Sequence, residues 1–222
     1  EELGFRVRVG PSCYAALGYM AGEDELRADD INRMFSDPEV DGIFCLRGGD
    51  GATRLPRLID LERIARSPKV FLGYSDITIL HQMFNCYGDF CTFHGPMPAV
   101  DFIRDTFPGY VKETLLRAIG SPEPLGTIEP FDGAVKMETL VPGTAEGELV
   151  GGNLALVCAL LGTPWEIDTR DRILILEDTD EPPCKGLVPG ESVAPGAVCL
   201  GGASGGSHSD HGTHSYSGLR IV

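Results

Sequence analysis

The amino-acid sequence predicts an α/β protein with an open, mainly parallel sheet and a second, smaller carboxyl-terminal domain. Apolar strand-like runs alternate with helical patterns, which is typical of βαβ architecture. Residues 42–46 are almost continuously apolar, as a sheet covered by helices on both faces requires. Prolines repeatedly interrupt residues 105–142, where the pattern weakens. We therefore predict a first domain over residues 1–110, a linker over 111–140 and a second domain over 141–222.

The first domain is predicted to contain three strands that alternate with three helices. The strands alternate in hydropathy or are wholly apolar, and turn residues interrupt the helical periodicity. The predicted strands are Phe5–Val9, Gly42–Leu46 and Lys69–Gly73, and the predicted helices are Asp24–Phe35, one starting near Ala52, and Ile77–Phe84. In such a sheet the functional loops lie at the carboxyl ends of the strands.

The second domain is predicted to contain a short apolar helix and two strands after a Gly-rich opening. The opening is Gly147–Asn153, the helix is Leu154–Leu161, and the strands are Ile173–Leu176 and Gly196–Leu200. Residues 186–222 hold nine Gly, six Ser and three of the five His. This composition predicts an irregular tail beyond the last strand.

Composition and charge narrow the class of ligand. The 222 residues include 18 Lys and Arg against 33 Asp and Glu, a formal net charge of −15. This acidic balance argues against a nucleic-acid partner and favours a small-molecule or peptide ligand. No apolar stretch approaches the roughly 20 residues that span a bilayer, which argues against a membrane partner.

The chain has seven cysteines and no CxxC motif. An odd number of cysteines within apolar runs favours reduced, buried thiols in a cytoplasmic protein. The chain begins with Glu1 and has no initiator Met, so we expect that it starts inside a longer protein.

Ser75 stands where an apolar strand turns sharply into a helix, within Gly73-Tyr74-Ser75-Asp76. A serine at such a corner exposes its hydroxyl group, as in the nucleophile elbow of serine hydrolases, and the Asp76 N–H at the helix start can stabilise an oxyanion. The alternative is an ordinary helix N-cap, because serine and aspartate are both favoured there. The short motif alone leaves both interpretations open.

Two further segments follow predicted strands. Residues Arg47–Gly51 contain three glycines, which permit close backbone approach and allow N–H groups to face an oxyanion; a plain tight turn is the alternative. Glu177 ends an apolar strand, where a carboxylate either orients a catalytic histidine or simply emerges into solvent.

The histidines fall into two groups. His208, His211 and His214 are spaced by three, but the surrounding Gly and Ser favour a flexible polar tail over a metal-binding helix. His81 and His94 lie in apolar segments, so we expect them to be hydrogen-bonded structural residues.

Taken together, the motifs resemble the serine-type LD-carboxypeptidases, a family that includes muramoyltetrapeptide carboxypeptidase and the microcin-immunity peptidases. The resemblance covers about residues 1–185, and the order of its motifs is more specific than any one of them. The matching segments are Gly18–Gly22, Asp37–Asp41, Arg47–Gly49, Gly73–Asp76, His94–Pro96, Gly151–Leu154, Leu161–Pro164 and Leu176–Asp178.

The resemblance implies a peptidase with a Ser-Glu-His triad that removes a terminal D-Ala from a murein tetrapeptide. Ser75 matches the nucleophile and Glu177 the carboxylate that orients the histidine. The N–H groups of Asp76 and Gly49 match the oxyanion hole. Arg47, Gly48 and Asn153 match the substrate-binding positions. The resemblance implies no metal or organic cofactor, and it implies a homodimer.

The histidine departs from the family pattern, because it follows Ser207 rather than a Gly and lies close to the Glu177 strand. One interpretation takes His208 as the catalytic base, since Gly218 follows ten residues later, as in the family. The other takes Gly196–Leu200 as an intermediate strand, so that the catalytic histidine is missing or replaced. An immunity-type peptidase that cleaves a peptidyl-nucleotide and a non-catalytic peptide-binding relative therefore remain as alternatives.

Overall fold

The computed structural model describes residues 3–104, 107–127 and 139–179, together with the backbone of residues 197–200. The chain divides into two compact units. The first consists of Glu1–Arg104 and Gly151–Ile167, and the second of Asp105–Val150 and Asp168–Val222. The first unit thus includes residues 151–167, which the sequence analysis assigned to the second domain. The predicted domain boundaries stay a prediction.

Five helices and six strands are described. The helices are α1 (Asp24–Ser36), α2 (Leu61–Arg66), α3 (Thr78–Gly88), α4 (Gly109–Gly120) and α5 (Leu154–Ala159). The strands are β1 (Gly42–Phe44), β2 (Val70–Gly73), β3 (Phe93–His94), β4 (Glu148–Asn153), β5 (Arg172–Glu177) and β6 (Ala197–Leu200). None of the helices in the described ranges has the length and hydropathy that a membrane-spanning helix needs.

The first unit is built on a parallel sheet in the order β1-β2-β3. Phe71 and Leu72 of β2 are both buried, so the central strand is covered on both faces, which explains its continuous apolar sequence. The rings of Phe35 on α1 and Phe84 on α3 pack against Phe71, with centroids 6.1 Å and 4.8 Å from it. These aromatic contacts join the helices to the sheet and form the centre of the core.

A second sheet has the order β4-β5-β6, in which β5 and β6 run parallel; of β4, residues 148–150 belong to the second unit. The pairing sets Glu177 opposite Leu200 at the end of β5. The Arg172 guanidinium lies 3.1 Å from the Glu148 carboxylate and so joins the first residues of β5 and β4. The sheets confirm the predicted α/β class with mainly parallel strands.

Two predicted elements of the first unit are wrong. Residues 5–9 form no strand; instead Phe5 packs its ring 5.7 Å from that of Phe44, and Arg8 binds Asp37 and Glu39 at 2.5 Å and 2.7 Å. The helix predicted from Ala52 is a single 3₁₀ turn, Ala52–Arg54; Pro56 follows closely and has no N–H to donate to a continuing helix.

The burial expected for the cysteines is also only partly correct. None of the five cysteines that the structure describes fully forms a disulfide, and four of them are exposed. Cys45, which directly follows β1, is half-buried. The cysteines are thus reduced as expected, but of these five only Cys45 packs against the core.

Candidate active site

Ser75 has a backbone conformation that is rare for a residue with a side chain. Its φ is +62°, in the left-handed region, whereas Tyr74 before it is extended. Ser75 begins a 3₁₀ turn, Ser75–Ile77, that continues directly into α3. A sharp strand-to-helix turn with a strained serine is the geometry of a nucleophile elbow.

The helix-cap interpretation of Ser75 does not describe this turn. The N-cap positions are Tyr74 for the 3₁₀ turn and Ile77 for α3, and neither residue caps its helix with a side-chain hydrogen bond. The N–H groups at the start of a helix have no acceptor within the helix, so this turn presents donors beside the serine.

The Gly-rich loop after β1 (Arg47–Gly51, the Gly48 loop) packs directly against Ser75. A Cβ atom on Gly48 would lie 3.2 Å from the Ser75 Cβ and 3.4 Å from its Oγ, so a side chain there would force the loop or Ser75 to shift by a few tenths of an ångström. Gly49 has a φ of +134°, and a Cβ atom there would meet nothing within 4 Å. The structure thus brings Gly48 to the serine, and the space beside the Gly49 Cα is open.

The side chains of Arg47 and Asp76, which lie next to the Gly48 loop and Ser75, differ in burial. Arg47 is exposed, and its Nε donates a hydrogen bond to the Gly48 carbonyl at 3.3 Å. The Asp76 side chain is buried, and its Oδ2 accepts a hydrogen bond from the Ala52 N–H at 2.8 Å. Burial raises the pKa of the Asp76 carboxyl, the Ala52 N–H opposes the rise, and the nearby Asp50 carboxylate adds to it.

His81 is the structural residue that the sequence predicted. It is buried on α3, and its Nε2 lies 2.9 Å from the Gly73 carbonyl oxygen. Burial lowers the pKa of His81 to about 3, so the imidazole is neutral at pH 7. His94 ends β3 at an exposed position, with its ring centroid 6.0 Å from that of His81. Its structural role stays a prediction.

Asn153 ends β4 and caps α5. Its side-chain Oδ1 accepts a hydrogen bond from the Leu156 N–H at 3.2 Å, and its own N–H donates to the Thr78 hydroxyl at 3.0 Å. The residue is 6% exposed. The structure therefore gives Asn153 a structural function that the sequence analysis missed, although an Asn before an apolar helix is itself a capping signal. Its substrate contact stays a prediction.

Glu177 is the last residue of β5 and is half-buried. It belongs to the second unit, whereas Ser75 and the Gly48 loop belong to the first. His208, His211 and His214 lie outside the described residues, so the choice among them stays a prediction. Within residues 3–104, 107–127 and 139–179, no group of three His, Cys, Asp or Glu side chains is placed to hold a metal ion.

Family models match the chain in two places. The LD-carboxypeptidase N-terminal domain matches residues 1–95, and the LD-carboxypeptidase C-terminal domain matches residues 146–186. The two matches together span more than half of the chain, and the first contains both Ser75 and the Gly48 loop.

Individual relatives agree with these matches. The probable murein peptide carboxypeptidase of Bacillus subtilis (strain 168) is 43% identical over 183 residues, which cover 82% of this chain and 56% of that protein. The murein tetrapeptide carboxypeptidase of Pseudomonas aeruginosa is 30% identical over 186 residues, which cover 82% of this chain and 60% of that protein. The chain thus spans a little over half the length of these relatives.

Solved structures show the same fold. The muramoyltetrapeptide carboxypeptidase from Oxalobacter formigenes superposes with a TM-score of 0.64 at 32% identity, over 74% of this chain and 54% of that one. The microcin C7 self-immunity protein MccF superposes with a TM-score of 0.66 at 24% identity, over 79% of this chain and 59% of that one. At that identity the second likeness supports the fold alone.

Proposed function

The chain belongs to the LD-carboxypeptidase family, and on that premise we propose that it is a serine peptidase that releases a terminal D-Ala from a murein tetrapeptide. The observation that carries this proposal is the strained backbone of Ser75, at φ +62°, with the Gly48 loop packed against it. Strain of this kind persists where function requires it. The names of the relatives support murein peptide as the substrate class.

In the proposed reaction the Ser75 hydroxyl attacks the carbonyl carbon of the amide bond before the terminal D-Ala. His208 accepts the hydroxyl proton, and Glu177 orients His208 and stabilises its charged form. The N–H groups of Asp76 and Gly49 donate hydrogen bonds to the carbonyl oxygen as it becomes negative.

The C–N bond then breaks, and the departing amine of D-Ala takes the proton from His208. This step leaves the rest of the peptide as an ester on the Ser75 Oγ. Water attacks the ester while His208 accepts a proton from it, and that proton returns to Ser75 as the peptide acid leaves. No step needs a metal or an organic cofactor.

Arg47, Gly48 and Asn153 are the proposed substrate contacts. Arg47 is exposed beside the Gly48 loop, so its guanidinium is available to a terminal carboxylate, which pairs well with its planar N–H groups. The proposal further includes a homodimer in the cytoplasm, which sedimentation of the purified protein and cell fractionation test.

Ser75→Ala tests the proposal. We expect D-Ala release from a murein tetrapeptide to fall by several orders of magnitude, because loss of the nucleophile leaves only binding and the oxyanion donors. Ser36→Ala is the control, since Ser36 is exposed at the end of α1 and bonds only locally, to the Asn32 carbonyl. Full activity in the Ser75→Ala protein would overturn the proposal.

The same assay separates the alternatives. His208→Ala is expected to lose activity as Ser75→Ala does, whereas His211→Ala and His214→Ala keep it. A parallel assay with a peptidyl-nucleotide as the substrate tests the immunity-type activity. An acylating probe tests the non-catalytic alternative, because a binding protein forms no covalent adduct at Ser75.

A further inference from the structure

The proposed oxyanion donors lie on two separate loops. The Asp76 N–H belongs to the turn after β2, and the Gly49 N–H belongs to the loop after β1. Such donors act only when they are held in a fixed geometry, within about 0.5 Å of the productive position. The loop after β1 includes Gly49 at φ +134° and Gly51 at φ +122°, and glycines restrict a backbone less than any other residue. Contacts from outside the loop must therefore hold it in place.

The Asp76 side chain provides one such contact. The hydrogen bond from the Ala52 N–H to Asp76 Oδ2 is 2.8 Å long and joins residues 24 positions apart. It connects the turn that carries Ser75 with the residue that follows the Gly-rich loop. Asp76 is 6% exposed, so this bond is shielded from competing water.

Helix α1 provides a second contact. The Arg27 guanidinium donates a hydrogen bond to the Gly51 carbonyl at 3.2 Å, and it is itself bound to the Asp24 carboxylate at 2.5 Å. The Asp24 carboxylate also binds Arg54 at 2.7 Å. The far end of the loop is thus held by α1 on one side and by Asp76 on the other, and its near end continues from β1.

We infer that the Asp76 carboxylate is a positioning residue that fixes the distance between the two oxyanion donors by binding the Ala52 N–H. The inference rests on the proposed function and assigns the Asp76 side chain a task separate from that of its backbone N–H. The carboxylate acts through the Gly-rich loop and touches no reacting atom. Its burial makes it rigid, and its sequence position next to Ser75 couples the loop directly to the nucleophile.

A pair of variants separates the side chain from the backbone. Asp76→Ala removes the acceptor for the Ala52 N–H, whereas Asp76→Asn offers an amide oxygen at the same position; both keep the N–H of residue 76. We expect Asp76→Ala to lower kcat for D-Ala release by roughly tenfold or more with little change in KM, because the loss falls on the transition state. Asp76→Asn is expected to recover most of the loss.

Asp30→Ala is the matched control. Asp30 is a second buried carboxylate of the first unit, 4% exposed, and its Oδ2 accepts a backbone hydrogen bond from Ser12 at 2.7 Å. Its removal is expected to lower the melting temperature as Asp76→Ala does while leaving kcat unchanged. The rate at which a fluorophosphonate modifies Ser75 provides a second measurement that does not depend on the peptide.

The outcomes are distinct. An Asp76→Ala protein whose kcat falls no further than that of Asp30→Ala, or an Asp76→Asn protein as slow as Asp76→Ala, would overturn the inference and leave the proposed function intact. If Asp76→Ala does not fold, the Asn variant decides: it must keep the wild-type amide signals of Gly48, Gly49 and Ala52 in NMR spectra as well as the wild-type rate. A wild-type protein that neither releases D-Ala nor reacts at Ser75 would overturn the proposed function and the inference together.

Discussion

At the scale of single residues, the backbone conformation of Ser75 lowers the stability of the fold while it positions the serine hydroxyl group. An L-residue with a side chain loses roughly 1–2 kcal/mol in the left-handed conformation, because its Cβ approaches the backbone too closely. Here the strand before Ser75 and the helix after it hold the residue in that conformation. The turn directs a hydroxyl group to the end of the sheet at the expense of the free energy of unfolding.

This conflict predicts an unusual order of stability. Ser75→Gly is expected to be more stable than Ser75→Ala by about 1 kcal/mol, because glycine adopts a positive φ without steric strain. Urea unfolding of both variants measures the difference. At Ser36, the last residue of α1, the order must reverse, since alanine is the better helix former. A Ser75→Ala protein at least as stable as Ser75→Gly would contradict the strain.

At the scale of elements, α3 has two functions. Its start follows the Ser75 turn, and its first two turns hold residues 151–153. The Thr78 hydroxyl accepts the Asn153 N–H, and the Gln82 amide donates to the Gly151 carbonyl at 2.7 Å. A Cβ atom on Gly152 would lie 2.7 Å from the Thr78 Oγ1, so only glycine allows this contact. One helix therefore supports both the turn that carries Ser75 and a distant segment of the chain.

Replacement of Thr78 by Val tests this packing. The two side chains have nearly the same shape, but Val leaves the buried Asn153 N–H without its acceptor, which is expected to lower the free energy of unfolding by about 1–3 kcal/mol. Thr92→Val is the control, because the Thr92 hydroxyl bonds to Asn85 at an exposed position. Equal losses in the two proteins would mean that the Thr78 bond adds nothing to stability.

The sequence predicted elements well where burial decides their structure. Strand β2 is apolar because the core covers both of its faces, so its pattern is unambiguous. Residues 5–9 show that alternation alone is not sufficient, because a strand also needs a neighbour with which to pair. The helix α4 was missed for a related reason: it lies among prolines, and Leu115 is its one buried residue.

The sequence predicted which loops form the candidate site but not the hydrogen bond that joins them. The closeness of Ser75 and the Gly48 loop follows from the rule that loops at the carboxyl ends of parallel strands lie together. The bond between Asp76 and Ala52 was not predictable, because its donor is a backbone N–H that any residue at position 52 except proline provides. The positive φ of Ser75 was likewise not predictable, because serine does not signal that conformation.

At the scale of the whole molecule, His81 makes stability depend on pH. The folded protein keeps this buried imidazole neutral, with its pKa lowered to about 3, whereas in the unfolded chain the pKa is about 6.5. As the pH falls below about 6.5, the unfolded chain binds a proton that the folded protein does not bind. The free energy of unfolding therefore falls between about pH 6.5 and pH 3, and His81 adds no pH dependence above that range.

His81→Gln tests this dependence, because the amide keeps a donor for the Gly73 carbonyl but does not titrate. Urea unfolding at pH 7.5 and at about pH 4.5 is expected to show a smaller loss of stability on acidification in the variant than in the wild type. The carboxylates are common to both proteins, so the difference isolates His81. Equal acid losses in wild type and His81→Gln would rule out the neutral buried imidazole.

The first unit consists of two separate segments of the chain, so it cannot complete its fold until the second segment has been synthesised. Its core includes Leu160, and the Tyr87 ring packs 4.8 Å from the Trp165 ring. When the ribosome has added residue 104, the residues of the sheet and of α1 to α3 have been synthesised. Residues 151–167, which pack against α3, have not. About fifty further residues must emerge before Gly151 reaches Gln82. The nascent chain therefore exposes the side of α3 that later contacts residues 151–167 during that interval, and exposed apolar surface of this kind favours aggregation.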